Sequence, residues 1–218
     1  MKKRKNIITV AIDSPAAAGA GTQARLIAKK YNLFYLDTGK IYRFIGKLKI
    51  DNPKKFTYKL VRQKIKNLKM NDLQSKSLLS DSVAVSASII AKDKKIRKIV
   101  YNFQKHCAYN PHKKYNGSVL DGRDITSVIM KDAMFKFFIT ASTKTRAMRR
   151  YKEYKRLKKQ ITYKDTLKTL KIRDKSDISR KHGALKKTSD SVLINSDKLS
   201  RLRTFKMINK IMNRKLKI

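Results

Sequence analysis

The sequence predicts an α/β fold built on a parallel sheet, and three observations carry that expectation. Short apolar runs rich in β-branched or aromatic residues recur at 7–12, 33–36, 119–120, 135–140 and 192–194. Helical spacings fill the intervals between them, and strands alternating with helices are most economically joined as parallel crossovers. No internal repeat interrupts the alternation, and the only compositional bias is toward lysine.

The first run ends at Asp13-Ser14-Pro15, as a buried strand entering a loop would. Small residues fill 15–22, and a helix over 23–31 follows, in which Leu26, Ile27 and Tyr31 share a helical spacing. The run 33–36 reads as a second strand, left through Asp37-Thr38-Gly39. Thr38 or Asp37 is placed to cap a helix carrying Ile41, Tyr42, Phe44 and Ile45. From Asn52 to Asp81 the pattern loosens around Pro53, many lysines and Asn71-Asp72, which predicts a mobile, separately packed insert. Order resumes at 83–90 and leads to a helix through Ile96, Ile99, Val100 and Phe103. Val119-Leu120 is a strand ending at Asp121-Gly122-Arg123-Asp124. A clearer strand, 135–140, precedes a long basic helix over about 143–159, and the strand 192–194 precedes a final helix over about 199–215.

A chain of 218 residues, at about 150 per domain, allows one domain or one plus an insert. Its 41% of apolar residues suffice for a sizeable core. Lys+Arg number 56 against 15 Asp+Glu, a formal net charge of +41, so any phosphate-bearing partner is electrostatically favoured. Charge alone does not choose among nucleotide, nucleic acid and membrane. The basic residues run the whole length and lysine outnumbers arginine, which fits a lysine-coated globular surface better than a dedicated nucleic-acid face. The single cysteine, Cys107, excludes an intrachain disulfide framework and agrees with a reducing compartment. No apolar run approaches the roughly 18 residues of a membrane span. The start, Met1-Lys2-Lys3-Arg4-Lys5-Asn6, is basic, but the apolar stretch after it stops at Asp13, so no signal peptide is read and a cytoplasmic location is expected. His106, His112 and His182 show no metal-ligand spacing with Cys107.

Three segments hold candidate chemistry. Ser14-Pro15-Ala16-Ala17-Ala18-Gly19-Ala20-Gly21-Thr22 has the small residues that let backbone N–H groups close on phosphate, with a helix behind and a hydroxyl for Mg²⁺. It does not satisfy G-x-x-x-x-G-K-[ST]: Ser14 stands at the first glycine and Ala20 at the lysine. Asp121-Gly122-Arg123-Asp124 sits where a parallel strand delivers carboxylates to a ligand crevice, with an arginine suited to bidentate phosphate binding. Arg146, Arg149 and Arg150 are spaced three and four apart, as are Arg173, Asp177 and Arg180 if that stretch is helical. Arginine's fixed fork suits phosphate better than the point charge of lysine.

Together these segments resemble bacterial cytidylate kinase, a P-loop nucleoside-monophosphate kinase family. The resemblance runs along nearly the whole chain and in order. Residues 11–22 look like the family's phosphate loop, and Leu36-Asp37-Thr38-Gly39-Lys40-Ile41-Tyr42-Arg43 looks like its L-D-[ST]-G-x-x-Y-R segment. Val83 to Arg97, with Ala87-Ser88 and Ile96-Arg97, resembles V-A-x-x-A-S…V-R. Asp121 to Ile125, Phe138 to Ser142 with Arg146 to Arg150, and Ile172-Arg173-Asp174 complete the pattern.

The resemblance implies a three-layer P-loop fold with a central parallel sheet, a small, shortened monophosphate-binding insert and a lid. It divides the chain into core 1–51, insert 52–82, core 83–142, lid 143–163 and C-terminal core 164–218. The implied reaction is ATP-dependent phosphorylation of CMP and dCMP, with Mg²⁺. By carry-over, Arg123, Arg149, Arg173 and Arg180 are catalytic. Ser14 to Thr22 bind ATP with Arg146, Arg149 and Arg150. Thr38, Arg43, Ser88, Arg97, Arg123, Asp124, Arg173, Asp177 and Arg180 bind CMP, and Thr22 and Asp121 meet the metal. A cytoplasmic monomer with no obligate protein partner and no membrane association is the family expectation, and the high charge permits non-specific nucleic-acid contact. Against the family pattern, Ala20 leaves the loop without its lysine, for which Arg25, Lys40 and Lys47 are candidate replacements. Two other readings stay open on the residues alone: a non-catalytic nucleotide-binding relative, and a basic nucleic-acid-binding protein on the same fold.

Overall fold

β1 (Ile8–Asp13), β2 (Leu33–Asp37), β3 (Gly117–Gly122), β4 (Phe135–Thr140) and β5 (Val192–Asn195) pair in parallel throughout, in the order β2-β3-β1-β4-β5. The computed structural model describes residues 7–218, so the basic start at 1–6, on which the signal-peptide reading rests, lies outside the described residues. Placing β1 at the centre of the sheet buries it on both faces, which its unbroken apolar run anticipates. Period-two alternation then sorts its side chains. Val10 and Ile12 join Val119, Phe137, Ile139 and Ile194 on one face, while Ala11 joins Leu36 and Leu120 on the other.

Helices cover both faces. α1 (Ala20–Tyr31) and α8 (Arg201–Leu216) pack on the Val10/Ile12 side through Ile27, Ile208 and Met212. The Tyr31 hydroxyl and the side-chain oxygens of Asn209 and Asn213, at 2.9 and 2.6 Å, tie these two helices together. α2 (Thr38–Asp51), α3 (Tyr58–Lys66), α4 (Asp81–Ile90) and α5 (Lys94–Tyr109) lie on the opposite side. A Cβ at Gly46 of α2 would stand 2.9 Å from the Ala87 nitrogen of α4, so the glycine sets how closely those helices approach. α6 (Thr143–Arg156) and α7 (Tyr163–Ser179) form a pair beyond the end of β4, with Ala147 and Leu170 packed on Ala16. Among the described residues no helix is long and apolar enough to cross a membrane. Cys107, on α5, is buried and free.

One expectation is corrected. The stretch from Asn52 to Asp81 is not separately packed: Val61, Ile65, Leu68 and Leu73 join Leu36, Ile41 and Ile45 in one core. Val61 and Ile65 sit four apart on the inner face of α3, and the lysines that obscured this pattern occupy its outer face. Of the two candidate caps of α2, Asp37 takes the N-cap position, without a side-chain bond, while the Thr38 hydroxyl donates to the Asp121 carbonyl at 2.8 Å.

Candidate active site

The adjacent ends of β2, β3 and β1 bring three turns side by side, with Asp37 opposite Asp121 and Asp13 opposite Gly122 in the sheet register. Ligands of open α/β sheets bind outside such carboxyl ends. Here the ends open into a crevice of about 470 Å³, a size typical of small-molecule sites.

The loop between β1 and α1 forms one wall. Ser14 lies in an ordinary backbone region and donates its N–H to the Gly122 carbonyl at 3.2 Å, so the absent first glycine costs nothing there. The left-handed residues are Ala17 (φ 61°) and Gly19 (φ 97°). A Cβ at Gly19 would meet nothing within 4 Å, which leaves an open cradle at the helix start. Six helices, α3 to α8, begin at a Ser, Thr or Asp whose side chain accepts from the first turn. α1 and α2 have no such bond, and both begin in the crevice lining. Their unpaired N–H groups and dipoles favour an anion.

The turn after β3 is held from below. Asp13 is fully buried and accepts from the Ile125 and Thr126 nitrogens at 2.7 and 2.8 Å and from the Thr126 hydroxyl at 2.6 Å. Burial pushes its carboxyl up to about 6, against the lowering effect of those bonds. The staple fixes the π-helical turn Ile125–Ile129 and with it the preceding Arg123 and Asp124. Gly122 is required here because a Cβ would stand 2.5 Å from the Thr38 hydroxyl oxygen.

Seven of the chain's 15 arginines line this crevice, but only one of its 41 lysines, Lys40. A generic basic surface would have followed the lysine majority, so the selection marks a site built for phosphate. Arg123 Nε donates to Asp177 Oδ2 at 2.7 Å, and Arg180 lies 3.6 Å from the other Asp177 oxygen. Arg97 pairs with Asp124 and lies over the Tyr42 ring at 5.6 Å. Arg43 donates to the Leu78 carbonyl at 2.7 Å. Arg173 is the least compensated, with a buried Nε lacking any partner. Burial, then the like charges of Arg123, Arg43 and Arg150, bring its guanidinium down to about 10 against the pull of Asp177. On the loop side, Asp121 Oδ1 and the Tyr35 hydroxyl are likewise buried without a hydrogen-bond partner. Burial and the neighbouring Asp37 carboxylate push Asp121 up to about 8.

Of the sequence-read residues, Ser14 to Thr22, Thr38, Arg43, Ser88, Arg97, Asp121, Arg123, Asp124, Arg150, Arg173, Asp177 and Arg180 all fall in the lining. Arg173 and Asp177 share a face of α7, and Arg180 follows at its C-cap. Arg146 and Arg149 lie outside this lining and hold the loop from its other side. All five donors of Arg146 are spent, on the carbonyls of Ala141 and Ala16, the Thr143 hydroxyl and both oxygens of Asp174. Arg149 binds Ser196 through Oγ at 3.0 Å and O at 2.6 Å, and reaches the Ala18 carbonyl at 3.4 Å. Neighbouring residues on a helix point about 100° apart, so Arg150 enters the crevice while Arg149 clamps the back of the loop. Sequence reasoning missed Tyr35, Asp37 and Tyr42 as lining or underlying residues. Asp37 and Tyr42 stand at the D and Y of the L-D-[ST]-G-x-x-Y-R segment, which was their signal, and Tyr35 had none.

A parallel sheet of order 2-3-1-4-5, a phosphate loop after its first strand and an arginine-lined crevice define a nucleoside-monophosphate-kinase-like fold and site. The cytidylate kinase family model matches residues 10–215. A cytidylate kinase of Bartonella tribocorum is 40% identical over 203 residues, covering 90% of each chain. That of Fusobacterium nucleatum is 36% identical, covering 88% of this chain and 91% of the relative, and that of Clostridium botulinum is 36% identical, covering 87% and 90%. The crystal structure of an uncharacterized protein from Eubacterium ventriosum has the same fold at a TM-score of 0.55 and 17% identity, covering 94% of this chain and 98% of that one. The chain belongs to the cytidylate kinase family of enzymes.

Proposed function

We propose that this enzyme transfers the terminal phosphoryl group of ATP, bound with Mg²⁺, to CMP and dCMP. The observation that carries the reading is the buried Arg173, whose Nε has no hydrogen-bond partner and which is crowded by Arg123, Arg43 and Arg150: a buried cation cluster of this kind becomes stable when phosphate oxygens enter it. Phosphoryl transfer asks mainly for positioning and for stabilisation of negative charge, and the crevice is equipped for both.

The residues fit the donor. The open cradle at Gly19 and the uncapped start of α1 suit the triphosphate, and the orphaned Asp121 oxygen, in the same crevice lining as Thr22, suits a hard cation. Among the described residues no three His, Cys, Asp or Glu side chains assemble into a closed metal site. That suits Mg²⁺, which one or two protein groups hold together with nucleotide phosphates. When bound, the ion neutralises charge on the donor phosphates. Thr38, Arg43, Ser88, Arg97 and Asp124 then face the monophosphate, with Arg123, Arg173, Asp177 and Arg180 between the two nucleotides. We read residues 52–82 as the part that helps hold the monophosphate and 143–163 as the lid. The buried free thiol of Cys107 agrees with work in a reducing cytoplasm, and like charge favours a monomer.

The test is ADP release from ATP·Mg²⁺ with CMP, dCMP, UMP or AMP supplied separately. Turnover that depends on CMP or dCMP is the expected result. Turnover with AMP alone, or with none of the four, overturns the reading.

A further inference from the structure

Position 20 is alanine, 4% exposed and packed with Val10 and Ile12, so the loop lacks the lysine that P-loops aim at the donor's terminal phosphates. A cation must reach the same place from elsewhere, and the structure separates the candidates. Lys47 pairs with Asp51 at 2.7 Å and is absent from the crevice lining. Arg146 and Arg149 hold loop carbonyls from behind. Arg43 is engaged by the Leu78 carbonyl and Arg150 by Glu153 at 3.0 Å.

Arg25 is different. It sits four residues after Gly21 on α1, and helical side chains lean back toward the N-terminus, so its guanidinium returns to the loop. Nη1 lies 3.7 Å from where a Gly21 Cβ would stand, close to Asp121 Oδ2 and the Tyr35 hydroxyl, at 3.6 and 3.2 Å from the same point. Its carbon Cζ lies 6.0 Å from the centre of the Tyr35 ring, which steadies its direction. Gly21 has no side chain to separate the fork from the loop backbone. The guanidinium lines the crevice beside the Asp121 carboxylate and the Tyr35 hydroxyl.

We propose that Arg25, one turn into α1, takes over the task of the absent loop lysine and engages the terminal phosphates of the nucleoside triphosphate donor. This rests on the kinase reading above and identifies the cation that makes a lysine-less loop competent. A guanidinium offers a two-pronged donor where lysine offers a point charge, so it can serve from further away and span two phosphate oxygens.

The test uses the full chain with Arg25→Met, which keeps the stem and removes the charge, and Arg25→Lys. Calorimetry with ATP, ADP and CMP is read beside turnover. We expect Arg25→Met to weaken ATP and ADP about tenfold or more while leaving CMP affinity unchanged, and to lower turnover about 100-fold. Arg25→Lys recovers part of the loss, and adding Ala20→Lys to Arg25→Met recovers more, because the charge is returned to its usual place. Arg25→Met with ATP affinity and turnover near wild type overturns the proposal. So does a loss that follows Lys40→Met instead. If Ala20→Lys does not fold, the two Arg25 variants decide alone. Wild type that binds ATP but phosphorylates neither CMP nor dCMP counts against the proposed function, and the calorimetry still decides the role of Arg25. Lys47→Met, remote from the crevice, stays at wild-type turnover.

Discussion

Arg123 and Asp177 are joined by a 2.7 Å bond from Nε to Oδ2 that closes 54 residues of chain and docks α7 against the end of β3. The same carboxylate faces Arg180, so one acid sets the direction of two cations. Burial alone would raise the Asp177 carboxyl, but Arg123, Arg173 and Arg180 together hold it below its ordinary value. Asp177→Ala leaves those guanidiniums crowded and undirected. We expect kcat/KM for the monophosphate to fall about 100-fold, with a smaller loss for Asp177→Asn, whose carbonyl can still accept from Arg123. Equal losses in both variants would mean that charge alone matters and direction does not.

Ala17 holds φ 61° between two peptide carbonyls, those of Ala16 and Ala18, that Arg146 and Arg149 grip. A left-handed alanine costs roughly 1–2 kcal/mol that glycine does not. Ala17→Gly should therefore raise stability in urea by about 1 kcal/mol, after the extra freedom of glycine in the unfolded chain is discounted. Unchanged or lower stability would show that the arginine grip fully offsets the strain.

Arg146 and Asp174 form a two-pronged pair at 2.6 and 3.0 Å, with side-chain exposures of 5% and 15%. Removing one partner strands a mostly buried charge, so Arg146→Met should cost about 3–5 kcal/mol. Arg146→Met with Asp174→Leu should cost less than either single change, and thermal unfolding of the three variants measures it. A double mutant as damaged as the sum of the singles would refute the coupling.

Asp13 gives stability a pH dependence. Its folded carboxyl titrates at about 6 against an ordinary 3.8, so the folded state holds an extra proton between those values. The contribution of this group is greatest below 3.8 and is lost as pH rises through 6. In urea denaturation, the stability of wild type relative to Asp13→Asn should fall by about 2 kcal/mol from pH 4 to pH 7. A constant difference would mean that Asp13 is already ionised at the lower pH.

The five strands were legible because a sheet buried on both faces writes itself as short β-branched runs. The phosphate loop was legible because only small residues permit its turn. What stayed hidden depends on neighbours brought in by the fold. The inner face of α3 is two residues, Val61 and Ile65, among lysines, and no local pattern says they join the same core as Leu36 and Ile41. Arg149 and Arg150 are adjacent in sequence and alike in chemistry, yet one meets Ser196 and the other the crevice. That division follows from where β5 runs. The meeting of Arg25 with Tyr35 joins a helix to a strand, and neither segment alone announces it.

Burial pushes the thiol of Cys107 up to about 12, which keeps it out of thiolate chemistry at ordinary pH. The native chain is thus silent toward thiol-directed dyes while it remains folded. Cysteines introduced at exposed positions such as Ile89 on α4 and Leu157 beyond α6 would be the ones to react. A fluorescent donor and acceptor attached there can follow the separation of α4 from the C-terminal end of α6 in an otherwise unaltered sequence.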